Sequence, residues 1–288
     1  MGNRRLGSKR LEAVLDNLLN NVGLNGLNGS PFSIKDPDRV YLEEYFLQRP
    51  ALNADISNSA ESTRMIANKN FEVLGTNASS DDVTFSATTA GVLLTTDGGD
   101  DDSIIILPHL DTNQTAWSGT EWGTENQIQW ECVIRSGDDV STSGFWAGMK
   151  LTNTPVYTTD DDQAYFLYDS SDDSGALTTN ANLHFVYSNN GTDYITDLGI
   201  VVAADTNYRL GISVDSDRKV AAWVNGVQYN LTSLTTAGGV SEGGAGTKLS
   251  SALADDHDLI PYIGVIARAA AARKLIVASQ KMSRIIFE

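Results

Sequence analysis

The sequence predicts an all-β protein, an antiparallel sandwich of two sheets. From Phe71 onward, short segments rich in Val, Ile, Thr, Tyr and Phe alternate with clusters of Gly, Asp, Asn and Ser. More than a dozen such segments follow at regular spacing with almost no helical pattern between them, which is typical of a sandwich. The chain has 288 residues, 41% of them hydrophobic, which is enough for a substantial core.

The predicted strands are short, and each is bounded by residues that favour turns. The last predicted strand is long, and we expect an interruption near Gln280. In chain order the strands are predicted at 83–86, 91–95, 103–107, 127–135, 144–151, 164–169, 183–188, 193–198, 208–215, 220–224, 227–231, 262–267 and 275–287.

Three reversals between these strands are predicted from local sequence. Asn225-Gly226 separates two apolar strands, and this pair accommodates the positive φ angles of a type I′ turn. The segment Ser188-Asn189-Asn190-Gly191 predicts a second hairpin, and 215–218 predicts a third reversal. Residues 208–231 therefore form a three-stranded meander in this interpretation.

The N-terminal segment 1–29 predicts a basic, amphipathic arm followed by a linker rich in Gly and Asn. Ser8 suits the N-cap of a helix, and Gly23 suits its end. The helix could pack on a neighbouring molecule or a distant part of the body, or it could cover one end of its own sheet. The residues expected to make the contact are Arg4, Arg5, Lys9, Arg10, Leu11, Val14, Leu15, Leu18 and Leu19.

Residues 30–70 are predicted to connect this arm to the sandwich at 71–288. Asp36-Pro37-Asp38 could begin a short helix that ends before Pro50. An extended conformation from Val40 to Leu47 fits the same residues nearly as well. We expect this connecting segment to be partly helical.

The charge of the chain is strongly negative and unevenly distributed. Against 37 acidic residues there are 20 Lys and Arg, a net charge of −17. Residues 76–217 hold 23 acidic and 3 basic residues, whereas the first ten residues hold four basic residues and no acid. Such segregation suits an acidic body with a basic anchoring end, although acidity could simply keep the body soluble.

Charge and hydropathy also exclude several classes of partner. An acidic surface repels phosphate backbones, so we expect no nucleic-acid binding. The sequence lacks the run of about 18 apolar residues that spans a membrane, so we expect no membrane association. The single cysteine, Cys132, excludes a disulfide framework within the chain.

Residues suited to catalysis are few, and we expect the protein not to be an enzyme. The chain has only three histidines, none of them in a zinc-protease motif or near a serine elbow. Cys132 lies in an apolar strand and is expected to be a small buried residue. A glycosidase would need two carboxylates on one strand face, and Glu125 and Glu131 are separated by turn residues.

Acidic loops raise the question of a bound metal, and the expected cofactor is none, with structural calcium as an open alternative. Asp160, Asp161 and Asp162 are the best candidate ligands, because Ca²⁺ requires several oxygen ligands. The spacing differs from that of an EF-hand. The competing interpretation is that these aspartates are solvated turn residues.

The five tryptophans divide into two groups by their sequence context. Trp130, Trp146 and Trp223 lie in apolar strands and are expected in the core. Trp117 and Trp122 lie in a polar segment and are expected to be partly exposed, where they could contact a partner or a glycan.

Several segments resemble known proteins. The stretch 208–227, with its Trp223-Val224-Asn225-Gly226 turn, resembles the hairpins of concanavalin A-like or laminin-G-like jelly rolls. The segments 109–117 and 122–127, the C-terminal 259–265 and 282–288, and the basic start 3–11 resemble virion structural proteins of marine tailed bacteriophages. This resemblance covers about four-fifths of the chain and implies a jelly-roll fold.

The resemblance implies a structural role, that of a capsid decoration (cement) protein that binds the outside of the phage head and stabilises it. Its expected partners are the major capsid protein and further copies of itself, as a trimer or dimer on the axes of the shell. The protein would be made in the host cytoplasm. The alternatives are a tail- or head-fibre adhesin for host-surface glycan and, third, a carbohydrate-active enzyme.

Overall fold

A computed structural model describes residues 38–52, 71–108, 120–151, 160–171, 177, 179–229, 231 and 252–286. The described residues form strands and two short 3₁₀ turns, Ser80–Asp82 and Thr124–Asn126, and contain no helix able to span a membrane. The predicted all-β class is therefore confirmed. Both the arm and Trp117 lie outside the described residues, and their predicted roles remain predictions.

The strands, numbered along the chain, match most of the predicted segments to within one or two residues. They are β1 (Arg39–Glu44), β2 (Ala51–Leu52), β3 (Phe71–Leu74), β4 (Val83–Phe85), β5 (Val92–Thr95), β6 (Ser103–Pro108), β7 (Gln129–Ser136), β8 (Ser143–Lys150), β9 (Gln163–Asp169), β10 (Asn182–Asn189), β11 (Thr192–Val201), β12 (Asn207–Val214), β13 (Val220–Val224), β14 (Val227–Tyr229), β15 (Ile260–Ala267) and β16 (Lys274–Ile285).

The strands form two eight-stranded sheets packed face to face as a jelly-roll sandwich. Sheet A has the order β14-β13-β12-β7-β16-β5-β4, with β1 also paired to β16. Sheet B has the order β11-β10-β9-β8-β15-β6-β3-β2. All pairings in both sheets are antiparallel except β2 with β3.

The main core lies between the two sheets and follows from alternation along each strand. On β7, Trp130, Cys132 and Ile134 point into the core, and Glu131 between them points away from it. The inner face of sheet B supplies aromatic pairs such as Phe166 with Phe185, whose ring centroids lie 5.1 Å apart. The predicted core positions of Trp130 and Cys132 are confirmed.

In the connecting segment the helical interpretation is wrong for residues 39–44, and the extended alternative is confirmed for residues 40–44. These residues form β1, which pairs with β16 from Arg39 opposite Ile285 to Glu44 opposite Gln280. Leu42 packs against the core between the sheets. A strand partner more than 200 residues away outweighs the local helix signal, so the sandwich begins at β1 rather than at Phe71.

The turn predictions are confirmed by the backbone. Asn225 and Gly226 have φ angles of 51° and 82°, and Asn190 and Gly191 have 48° and 74°, the positive values of tight hairpins. The reversal after β12 is closed by a hydrogen bond from the Arg218 N–H to the carbonyl of Asp215.

The expected interruption of the last strand near Gln280 lies slightly earlier. The register of β16 against β7 shifts between Val277 and Ser279, and the strand continues through Gln280. The Gln280 side chain points into the core, where its oxygen accepts a hydrogen bond of 3.4 Å from the Trp130 indole. The extra residue of this bulge lets β16 pair with both β5 and β1 on one side.

The bulge of β16 sits directly against Gly91, which precedes β5. Gly91 has a φ of 102°, and a Cβ at this position would overlap the carbonyl oxygen of Val277. We expect Gly91→Ala to destabilise the protein by about 1–3 kcal/mol, because strain and backbone overlap both oppose it. The measurement is urea unfolding. Gly98→Ala is the control, since nothing lies within 4 Å of its Cβ, and equal stability of the two variants would contradict this account.

Candidate functional site

The outer face of sheet B, which points away from sheet A, carries a second apolar cluster and is buried. Trp146 on β8, Tyr165 on β9 and Tyr262 on β15 are exposed by only 1%, 2% and 1%. The Tyr165 and Tyr262 rings meet edge to face at 5.8 Å. The other members of the cluster are Ile105, Leu107, Leu167, Leu177, Val186, Ile195, Ile260 and Ile266.

The position of Trp146 depends on a glycine in the neighbouring strand. Gly264 lies opposite Trp146 in the pairing of β15 with β8, and a Cβ on Gly264 would overlap the indole ring. The predicted burial of Trp146 is confirmed, but it lies on the outer face of sheet B rather than between the sheets. In the sequence, a strand that is apolar at successive positions rather than at alternate ones indicates that both of its faces are buried. This is the signal for the second cluster.

A buried ion pair lies at the edge of this cluster. The Lys150 ammonium is 3.7 Å from the Asp160 carboxylate and 5.2 Å from the centre of the Tyr262 ring. Burial lowers the pKa of Lys150, and the Asp160 carboxylate opposes this shift. Asp160, a predicted calcium ligand, is therefore the counterion of a buried lysine.

The other two predicted calcium ligands also point elsewhere, so the site at 160–162 is wrong as predicted. Asp161 is exposed, whereas Asp162 is fully buried. One Asp162 oxygen accepts a 3.1 Å hydrogen bond from the Ala254 N–H, and the other lies 3.2 Å from the His257 ring. Asp161 thus lies apart from the two buried aspartates, Asp160 and Asp162 have different partners, and the three form no group of metal ligands among the described residues.

A different group of carboxylates does come together. Oxygens of Glu125, Asp255 and Asp256 lie within 4.8 Å of one another at one end of the sandwich, where the second 3₁₀ turn packs on 254–258. Such an oxygen set could hold a hard cation such as Ca²⁺. In the same place, Arg218 balances Asp255 through a 3.2 Å ion pair.

Asp258 shows the electrostatic effect of this acidic end. Burial raises the pKa of its carboxyl, and the carboxylates of Glu121 and Glu125 raise it further, while Arg284 and His257 act in the opposite direction. The negative charge at this end of the sandwich therefore also raises the pKa of a carboxyl outside the group of Glu125, Asp255 and Asp256.

The predicted exposure of Trp122 is wrong. The residue is fully buried in the main core, and its backbone carbonyl accepts a hydrogen bond from the Leu259 N–H. The 3₁₀ turn Thr124–Asn126 follows it, with Thr124 and Asn126 also buried, and the fully buried Trp122 ring offers no surface for a partner or a glycan.

The residues considered for catalysis do not converge in the described part of the chain. Glu131 lies on sheet A and binds Arg209, whereas Glu125 lies in the second 3₁₀ turn. Cys132 is buried, and burial raises the pKa of its thiol. His184 on β10 is fully buried, with Nδ1 3.0 Å from the carbonyl of Asn182.

Comparison with known proteins gives similarity of fold only. No protein-family model and no curated protein matches the sequence. A protein of unknown function from Shewanella oneidensis is 9% identical, with 88% of this chain and 89% of that chain covered and a TM-score of 0.49. Peanut lectin is 11% identical, with coverages of 87% and 99% and a TM-score of 0.49.

A carbohydrate esterase from Shiga toxin-encoding bacteriophage phi24B is 15% identical, with coverages of 79% and 95% and a TM-score of 0.42. The jelly-roll sandwich class of this chain rests on its own strand order. At this level of similarity, nothing about substrate or partner follows for this chain.

The Lys150–Asp160 pair is expected to stabilise the fold only as a pair. Lys150→Met should cost about 3–5 kcal/mol in urea unfolding, because it leaves the buried Asp160 carboxylate without this ammonium. The double variant Lys150→Met/Asp160→Leu should recover most of that loss. Lys274→Met is the control, since its partner Asp138 is exposed, and it should change stability by less than about 1 kcal/mol.

The raised pKa of Asp258 predicts a dependence on pH. The ionised carboxylate destabilises the folded state at neutral pH, and this effect disappears once the pH falls below the ordinary value of 3.8. We expect Asp258→Asn to increase the free energy of unfolding at pH 7 by about a few tenths of a kcal/mol, and so to raise the melting temperature at pH 7 and not at pH 3. Asp97→Asn removes an exposed charge as the control, and an equal gain at both pH values would contradict the assignment.

Proposed function

We propose that this chain is a non-enzymatic structural protein of a phage virion, a decoration protein that binds the outside of the head and stabilises it. The observation that carries the proposal is the difference in charge between the acidic body and the basic N-terminal segment. The body is acidic, and its described residues form a sandwich with two buried apolar clusters. The preceding residues 1–29 combine four basic residues with an apolar stripe. The resemblance to virion proteins of tailed phages supports the same role.

The construction of the body supports a holding role. Strands β8, β9 and β15 of sheet B are buried on both faces, and the polar groups at Lys150 and at Asp160 and Asp162, which lead into β9, have contacts within the chain. A slab filled in this way is stiff, because close-packed interiors deform little. Stiffness suits a protein that braces a shell.

In this proposal the arm docks on the major capsid protein and the body remains outside. Burial of the stripe from Leu11 to Leu19 would stabilise each contact by several kcal/mol, at roughly 25 cal/mol per Å² of apolar surface. Association of copies as dimers or trimers on shell axes would multiply weak contacts across the lattice. The acidic body needs neither nucleic acid nor a membrane for this role.

The test is removal of residues 1–29 followed by binding to purified heads that lack the protein. We expect the truncated chain to melt at the same temperature as the full chain and to lose its occupancy on heads by electron cryomicroscopy. Undiminished occupancy would contradict the role of the arm, and density anywhere other than the outer head surface would contradict the proposal.

A paired variant separates the two parts of the arm. Replacing Arg4, Arg5, Lys9 and Arg10 by Ser removes the charge and keeps the stripe, whereas Leu15→Ser/Leu18→Ser breaks the stripe and keeps the charge. We expect the first to make binding less sensitive to salt and the second to weaken binding at all salt concentrations.

A further inference from the structure

Trp223 is the tryptophan whose predicted core position is wrong. On β13 the residues Val220, Ala222 and Val224 face the core, so Trp223 lies on the opposite, outer face of sheet A. It is half-buried there and belongs to neither of the two apolar clusters. The outer face of sheet A therefore has an environment of its own.

A cavity of about 200 Å³ opens on this outer face, near the edge of sheet A that lies away from Trp223. Its floor includes Leu93 of β5 and Ile276 of β16, which are register partners and are both half-buried. Both side chains point away from the core, because the residues on either side of Leu93 belong to the core and so do those beside Ile276. The cavity thus has an apolar floor outside both clusters.

The walls of the cavity come from three loops of the sandwich. They are residues 86–88 after β4, residues 136–138 after β7, and Asp205 between β11 and β12. The Asp205 N–H donates a 2.9 Å hydrogen bond to the carbonyl of Gly137, and a Cβ on Gly137 would overlap the carbonyl oxygen of Lys274. Backbone contacts therefore hold two of the walls in place, and the shape of the cavity does not depend on a ligand.

The polar groups of the lining differ in what they can offer to a ligand. The hydroxyl groups of Ser86 and Ser136 are hydrogen-bonded within the chain. The charged groups of the lining are Asp138, Asp205 and Lys274, and all three side chains are exposed at the rim. A ligand with its apolar part on the floor would therefore meet these three groups with its polar part.

The rim carries charges of both signs, arranged in two ion pairs. The Lys274 ammonium donates a 3.0 Å hydrogen bond to Asp138, and the Arg135 guanidinium donates one of 3.1 Å to Asp205. One such bond leaves further donors on the ammonium and further lone pairs on each carboxylate. The rim can therefore bind a cationic and an anionic group at the same time.

We propose that this cavity binds a zwitterionic α-amino acid with a branched aliphatic side chain, such as free leucine. The side chain of the ligand covers Leu93 and Ile276, its ammonium group binds Asp138 and Asp205, and its carboxylate binds Lys274. The cavity lies below the range of about 300–1,000 Å³ that holds drug-sized ligands, which fits a small metabolite and excludes a polymer.

The chemistry of the lining favours this ligand over three others. An aliphatic amine or a fatty acid would cover the floor but would bind only one sign of charge at the rim. A simple anion would in addition be repelled by a chain of net charge −17, whereas a zwitterion is neutral overall. A sugar has hydroxyl groups for the rim but no aliphatic side chain to bury on Leu93 and Ile276.

This inference goes beyond the proposed function, because the cavity lies in the body and the arm is formed by residues 1–29. Loss of leucine binding would leave the occupancy of the protein on phage heads unchanged. Conversely, a chain that does not bind heads would still bind leucine. The two proposals therefore fail in different experiments.

The first test is isothermal titration calorimetry of the full chain with three ligands of one shape. Leucine carries both charges, isoamylamine lacks the carboxylate, and 4-methylpentanoate lacks the ammonium group. We expect leucine to bind, and the other two to bind about tenfold more weakly, as loss of a hydrogen bond to a charged group does. Absence of leucine binding, or equal affinity for the three ligands, would overturn the proposal.

The second test closes the cavity from one of its walls. Ala87 is an exposed residue of the loop after β4, so Ala87→Trp places a large ring at the cavity without changing the core. We expect this variant to keep its melting temperature and to bind leucine at least about tenfold more weakly. Ala270→Trp is the matched control, because Ala270 is exposed between β15 and β16, away from the lining. Equal leucine binding by the two variants would contradict the position of the site.

A third variant assigns the two ends of the ligand and also covers the case in which Ala87→Trp does not fold. Lys274→Gln removes the partner of the ligand carboxylate and keeps both acidic groups at the rim. We expect it to bind leucine and isoamylamine with equal affinity and still to prefer leucine to 4-methylpentanoate. A purely structural effect would weaken the three ligands alike, and a retained preference for leucine over isoamylamine would overturn the proposal.

Discussion

Burial of the central strands of sheet B on both faces is the constraint on which the rest of this sandwich depends. Strands β8, β9 and β15 carry buried side chains at every position, so alternation serves two apolar clusters instead of one. A sheet of this kind has no face left for water, and each polar side chain within it must find a partner in the protein. The positions of many charged groups follow from that requirement.

The contacts of the acidic residues show the effect of this constraint. Asp160 and Asp162 look like cation ligands in the sequence because acidic runs in loops suit Ca²⁺. In the fold they enter a buried sheet, where Lys150 and the Ala254 amide already supply positive partners. The carboxylates that do gather, at Glu125, Asp255 and Asp256, come from segments about 130 residues apart.

Sequence patterns predict the strands and turns of this protein well because their causes are local. Alternation and an Asn-Gly pair act within a few residues, so β13, its turn and β14 could be placed in advance. Alternation shows that Trp223 and Val224 face opposite ways, but not which of them faces the core. The exposure of Trp122 was predicted wrongly for a related reason: the polar residues beside it in the sequence do not show whether its indole ring is buried.

Long-range pairing accounts for what the sequence did not predict. The strand β1 has its partner β16 at the other end of the chain; residues 40–47 suit a strand nearly as well as a helix, but nothing local identifies the partner that decides between them. The neighbours on the outer face of sheet A are equally hidden, because Gln228, Trp223, Gly211, Glu131, Lys281 and Glu43 come from six strands between β1 and β16. Only the registers of sheet A bring Gly211 beside Trp223 and Glu131 beside Lys281.

The way in which β1 is held at its N-terminal end has a mechanical consequence. Force applied at this end acts on Arg39, which is held by Ser283 and the carbonyl of Gln127, while the Ile286 N–H binds the carbonyl of Asp38 at 2.7 Å. Pulling along β1 loads its whole ladder with β16 in shear, because the hydrogen bonds lie across the strands. Pulling sideways would break the hydrogen bonds of this ladder one at a time. The attachment of β1 therefore withstands far more force along the strand than across it.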